Sequence, residues 1–350
     1  MSRDLKFSQA IHEATDLCLA ADPSVYLMGL GVPDPKGVFG TTLGLKEKYG
    51  ERVLDMPTAE NGMTGVAIGS ALCGMRPIMV HQRLDFALLA VEQLVNQAAK
   101  WHYMFGGQRS VPMVIRLIVG RGWGQGPQHS QSLHSWFAHI PGLKVVAPAT
   151  PHDAKGMMIA SVEDNNPVLF IEHRWLHNIS GPVPEGHYRV PLGRSRVVRE
   201  GEHITLVGIS YMTIEALRAA KTLADHGISA EVVDLRTLNP LDDRPIIESV
   251  RKTGRLVVAD TSWANAGISA EVVSRVTEKA LMDLRAAPRR ITLPSCPSPT
   301  SAGLARHFYP RAQDIVAAAL EVLDMAGEEE VREEMATALD VPDTSFAGPF

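Results

Sequence analysis

Asp55-Met-Pro-Thr-Ala-Glu60-Asn-Gly-Met-Thr-Gly-Val-Ala-Ile-Gly-Ser-Ala-Leu-Cys-Gly-Met-Arg-Pro77 reads as a loop, a helix and a turn, and Ile78–Gln82 after it reads as a strand. The helix is apolar on every side, which predicts burial and places Glu60 at its N-terminal end, inside the protein or at an interface. Gly62, Gly65 and Gly69 predict close packing along it. Moving outward, Ser24–Met28, Val111–Leu117, Leu143–Ala147 and Pro167–Glu172 are further short apolar runs separated by helical patterns. That alternation predicts an α/β fold with a mostly parallel sheet covered by helices on both faces.

The rhythm stops at the Gly/Pro-rich passage Ser180–His187 and the charged segment Arg194–Glu202, then restarts. Strands are expected at Ile204–Gly208, Ser229–Leu235, Arg255–Asp260 and Arg290–Leu293. Between the first two, Ile214, Leu217, Ala220 and Leu223 fall at helical spacing, with Gly227 where a C-terminal cap belongs. The expected organisation is a first domain over 1–185, a linker over 186–200, a second domain over 201–326 and an acidic tail over 327–350. A chain of 350 residues that is 45% hydrophobic and 21% charged can build both cores.

Charge and cysteines exclude several classes. Acidic residues outnumber basic ones 39 to 34, and no basic block is interleaved with aromatics, so nucleic acid is not an expected partner. Cys18, Cys73 and Cys296 show no metal or redox spacing and read as reduced thiols, two of them in buried helices. Met1–Phe7 carries charges of both signs without a signal-peptide pattern, and no apolar run reaches the roughly 18 residues of a membrane span. A cytoplasmic location without membrane contact is expected.

Glu60 feels two opposed influences: the helix N-terminus favours its ionised form and loss of water favours the neutral one. It reads either as a helix cap or as a group that exchanges a proton. The glycine loop Gly120-Arg-Gly-Trp-Gly-Gln-Gly-Pro-Gln-His129-Ser-Gln131 follows a predicted strand, where α/β sheets place ligands, but lacks the dinucleotide and Walker patterns. His129 reads as structural or as a proton-transfer group. His173 and His177 stand four apart without a nearby third ligand, so a zinc site is rejected.

Taken in order, Thr58-Ala-Glu60-Asn-Gly62, Phe86 before Glu92–Lys100, Gln128-His-Ser-Gln131, Pro141–Val146, Asp164-Asn-Asn-Pro167 and Asp234–Asp242 resemble the beta subunit of thiamine-diphosphate-dependent 2-oxo acid dehydrogenases. The resemblance spans roughly residues 5 to 325. It implies a transketolase-type pyrimidine-binding domain followed by a transketolase-type C-terminal domain. It also implies that Glu60 hydrogen-bonds the aminopyrimidine ring nitrogen, favouring the imino tautomer whose nitrogen takes the thiazolium proton. Phe86 matches the aromatic residue packed on that ring, and His129 the histidine that steadies the substrate-derived intermediate and aids acyl transfer to a lipoyl acceptor. Met113, Ser161, Val162, Asp164 and Asn166 match a structural potassium site in some members.

The chain has no Gly-Asp-Gly with a downstream asparagine, the family's motif for magnesium and diphosphate. The resemblance therefore implies an alpha subunit that supplies it, in an alpha2-beta2 heterotetramer that acts on a pyruvate-like 2-oxo acid and serves a lipoyl acyltransferase core. Gly29-Leu30-Gly31 lacks the two acids many members carry, and His81-Gln-Arg-Leu-Asp85 replaces an aromatic and small run. These departures keep open a two-subunit thiamine carboligase (acyloin synthase or split transketolase) without a lipoyl partner. A noncatalytic scaffold is a further reading, disfavoured because Glu60, Phe86 and His129 occur together. A nucleotide-binding second domain is disfavoured, because Gly208-Ile-Ser-Tyr-Met-Thr213 lacks the glycine fingerprint.

Overall fold

The computed structural model describes residues 2–122 and 124–325, so the acidic tail expected from 327 onward lies outside the described residues. The described residues form two units, one built from 2–120 and 128–192, the other from 121–122, 124–127 and 193–325.

In the first unit the strands are β1 (Ser2–Lys6), β2 (Val25–Gly29), β3 (Val53–Leu54), β4 (Arg76–His81), β5 (Val114–Val119), β6 (Lys144–Val146), β7 (Val168–His173) and β8 (Ser180–Pro184). Adjacent strands in the order β6-β7-β5-β4-β2-β3 pair in parallel. Every residue of β5 and β7 is buried, as expected of central strands covered on both faces. The five expected strands form within one to three residues of their predicted ends. The antiparallel β1–β8 pair was not foreseen, since the charged Ser2–Lys6 lacks apolar alternation and is held by its partner rather than by propensity.

Two helices brace this sheet. Phe7–Ala21 buries Phe7, Ala10, Ile11, Ala14 and Cys18, one stripe at helical spacing, and packs against Pro151–Glu163. The latter starts where Thr150 accepts a 3.1 Å hydrogen bond from the Asp153 amide and Pro151 occupies the first turn.

Within this chain the Glu60–Leu72 helix is buried along one side. Glu60, Thr64, Ala67, Ile68 and Ala71 are buried, whereas Asn61, Gly62, Gly65, Val66 and Gly69 are exposed. A Cβ at Gly62, Gly65 or Gly69 would meet nothing within 4 Å, so these glycines do not pack closely within the chain. The cysteine expectation needs correction: Cys18 is buried, but Cys73 and Cys296 are exposed, Cys73 because it ends this helix in a turn.

In the second unit β9 (Arg196–Arg199), β10 (Ile204–Gly208), β11 (Ala230–Asp234), the short β12 (Thr237–Asn239), β13 (Leu256–Trp263) and β14 (Arg289–Leu293) appear in turn. A five-stranded sheet runs β14-β13-β10-β11-β9, parallel except where β9 joins β11 antiparallel. β9 arises from the charged Arg194–Glu202 segment, whose polarity suits an exposed edge and hid it from an apolar reading. The Tyr211–Asp225 helix carries the foreseen spacing, and Gly227 follows it at φ +77°, a left-handed value that favours glycine.

Candidate functional site

Two contacts orient the Glu60 helix on the first sheet. Ser70, near its end, hydrogen-bonds Tyr26 of β2 at 2.7 Å, and Thr64, one turn after Glu60, reaches Met79 Sδ of β4 at 3.4 Å. Because Tyr26 pairs with Pro77 at the start of β4, the helix runs against the strands and its N-terminus lies at their carboxyl edge. Glu60 is the first helical residue and is only 4% exposed. Its Oε2 has no hydrogen-bond partner among the described residues. A buried acceptor left unmatched costs about 1–3 kcal/mol, so it fits a donor supplied from outside the chain.

The loop ahead of Glu60 is fixed by Asp55, whose Oδ1 accepts from the amides of Met56 and Gly31, each at 2.9 Å. Gln82 holds the same corner, donating to Leu30 O at 2.9 Å. The Gly29-Leu30-Gly31 departure thus forms a hydrogen-bonded turn, with Gly31 at φ +69°.

Phe86 sits in the short helix Leu84–Ala87 just after β4, which touches the Glu60 helix. Its ring meets His129 edge-on, with centroids 5.4 Å apart and planes at 89°. Both side chains are half-buried, so each presents part of its surface beyond the chain's core. Asp85 joins the two segments: its Oδ1 accepts from Gln131 Nε2 at 2.9 Å and from the Gln131 amide at 3.4 Å. The structure therefore brings Phe86 and His129 together and sets the Glu60 helix against the same turn. Asp85 escaped the sequence reading as an individual site residue, and the buried His81 entered it only with Gln82 and Arg83, as polar groups that reshape the substrate pocket. An acid before the aromatic and a histidine ending an apolar strand were the available signals.

Models of two families match the chain: transketolase, pyrimidine binding domain, over residues 3–178, and transketolase, C-terminal domain, over 193–315. The beta subunit of an acetoin:2,6-dichlorophenolindophenol oxidoreductase from Cupriavidus necator is 44% identical over 92% of this chain and 98% of its own length. A mitochondrial pyruvate dehydrogenase E1 component subunit beta-2 from Oryza sativa subsp. japonica is 41% identical over 91% of this chain and 86% of its own. The chain belongs to the 2-oxo acid dehydrogenase beta-subunit family. A solved inactive beta4 tetramer of a split-gene transketolase has the same fold, with TM-score 0.75 and 24% identity over 92% of this chain and 99% of that one.

The five residues expected at the family's potassium site are gathered at the end of the Pro151–Glu163 helix. Met113 O accepts from the Val168 amide at 2.9 Å, Ser161 O from the Asp164 amide at 3.3 Å, and Asp164 Oδ1 from the Asn166 amide at 2.9 Å. Arg76 donates to Val162 O at 3.0 Å and to Asp164 O at 3.1 Å, and Lys144 pairs with Asp164 Oδ2. Each carbonyl keeps a second lone pair, so the oxygens suit a hard cation, although two side-chain cations already stand beside them.

His177 belongs to a different cluster from Phe86 and His129. Arg116 on β5 donates to both oxygens of Glu172 on β7, at 2.5 and 2.9 Å, and to Thr41 Oγ1 at 2.8 Å. His177 Nε2 lies 3.2 Å from Glu172 Oε2. Arg116 and Glu172 are fully buried. Burial pushes the Glu172 carboxyl up, but Arg116 and His177 outweigh it and hold it down at about 2. Burial lowers His177 to about 4, so its imidazole is neutral near pH 7.

Proposed function

We propose that this chain forms one half of a thiamine-diphosphate site and works with an alpha subunit to decarboxylate a 2-oxo acid oxidatively, passing the acyl group to a lipoyl arm. The observation that carries this reading is the buried, unpartnered Glu60 Oε2 at the carboxyl edge of the sheet. It matches a ring nitrogen that shares a proton, with Phe86 offering a flat apolar contact and His129 beside it. When bound, the cofactor supplies a carbon nucleophile and an electron sink for loss of carbon dioxide. Within this chain Glu60 holds the proton at the ring nitrogen, Phe86 orients the ring, and His129 places hydrogen-bonding capacity beside the substrate carboxylate.

Magnesium and the cofactor's diphosphate are assigned to the alpha subunit in an alpha2-beta2 assembly. The exposed Gly62, Gly65, Val66 and Gly69 face supports a partner there, since small residues allow a neighbouring chain to approach closely. Potassium is assigned to Met113, Ser161, Val162, Asp164 and Asn166.

A second substrate reading, the hydroxyketone acetoin, is favoured by the name of the Cupriavidus necator relative. The test is substrate-dependent dye reduction by this chain co-purified with its alpha subunit, supplied with pyruvate, longer 2-oxo acids or acetoin, for wild type and Glu60→Gln. Activity that needs both chains and falls at least 100-fold in the variant is expected; unchanged activity in Glu60→Gln would remove Glu60 from the chemistry.

A further inference from the structure

A second buried polar atom near Glu60 also lacks a partner. His81 ends β4, is 2% exposed, and its Nε2 has no hydrogen-bond partner among the described residues. Its position relative to Glu60 follows from the Thr64–Met79 contact. Side chains two apart on a strand share a face, so His81 lies on the face of Met79, about 6.6 Å further toward the carboxyl edge. Glu60 lies four residues before Thr64 on the same buried stripe, about 6 Å further in the same direction. The two displacements match, so the two residues that carry the unpartnered atoms lie at one end of the sheet, next to the turn that carries Phe86.

Resting on the reading that a nitrogen heterocycle binds at Glu60, we infer that His81 is a second hydrogen-bonding contact to that heterocycle's polar edge. Burial holds the His81 imidazole down at about 4, so it is neutral near pH 7 and can donate from one ring nitrogen and accept at the other. An unmatched imidazole nitrogen in the interior destabilises the empty chain, and a ligand that satisfies it recovers that loss on binding. His81 therefore trades stability of the empty protein for affinity, a signature that a purely structural histidine lacks.

The test measures thiamine diphosphate binding with magnesium by titration calorimetry, alongside melting temperatures with and without the cofactor. The protein is this chain assembled with its alpha subunit, as wild type, His81→Phe and Glu60→Gln. For His81→Phe the expected result is an empty-state melting temperature equal to or above wild type and affinity about three- to ten-fold weaker, the range of one hydrogen bond. Wild-type affinity in His81→Phe with weakened binding in Glu60→Gln would overturn the His81 contact alone. Wild-type affinity in both variants would overturn the reading of the site itself. Should His81→Phe not assemble, His81→Gln and His81→Met are close in volume and differ in polarity; Met weaker than Gln supports the contact, and equal affinities overturn it.

Discussion

Replacing Arg116 by Met strands a carboxylate in the first unit's core. Glu172 would lose both guanidinium bonds and keep only His177, at 3.2 Å, in a setting where neither Arg116 nor Glu172 has solvent access. Removing one partner of a fully buried pair costs about 3–5 kcal/mol, because the remaining charge is left without compensation. A unit of this size loses roughly 2–4 °C of melting temperature per kcal/mol, so the transition should fall by about 6–20 °C at pH 7. The assay is thermal unfolding followed by far-ultraviolet circular dichroism, for Arg116→Met, Glu172→Gln and the double variant. The double variant should recover much of the loss, since removing both charges lifts the desolvation cost along with the attraction. The deficit of Arg116→Met should also shrink as pH falls toward 5 and Glu172 becomes neutral. A single variant within about 1 °C of wild type, or a double variant no better than the worse single one, would refute the reasoning.

Acid should weaken the fold well above the range in which Glu172 titrates. His81 and His177 have folded values near 4 against an unfolded value near 6.5, so the unfolded chain binds more protons between these limits. Their contribution is complete above about pH 6.5 and is lost as pH falls toward 4, by at most about 3 kcal/mol each. Glu172 acts lower, its contribution present above about 4.5 and lost as pH falls through about 2. Urea unfolding at several pH values checks this, and a stability flat from pH 7 to 4.5 would contradict it. Asp85→Ala should lower kcat about tenfold or more with a smaller change in KM, because it frees the segment bearing His129, whereas Asp85→Asn keeps an acceptor for Gln131 and most of the activity. Equal losses in the two variants would argue against that tether. Exchanging potassium for choline should lower the melting temperature by a few degrees, and Asp164→Ala should abolish the difference; identical melting in both salts would remove the ion.

The alternation of apolar runs and helical spacing sufficed to foresee two α/β sheets, because strands buried on both faces must be continuously apolar and the helices covering them must present one apolar stripe. Position alone left Glu60 as cap or acid and His129 as structural or catalytic; the ordered resemblance gave both their roles and was the sole signal for Phe86. β1 and β9 were not legible, since an edge strand is held by its partner's backbone and needs no apolar pattern of its own. Tertiary structure alone decided that the Glu60 helix leaves its glycine face bare, that Asp85 ties the Phe86 turn to the His129 segment, and that His81 and Glu60 end at one edge. Local sequence fixes which face of a helix or strand a side chain occupies, but the partner of a buried polar atom is set by where distant segments are brought together.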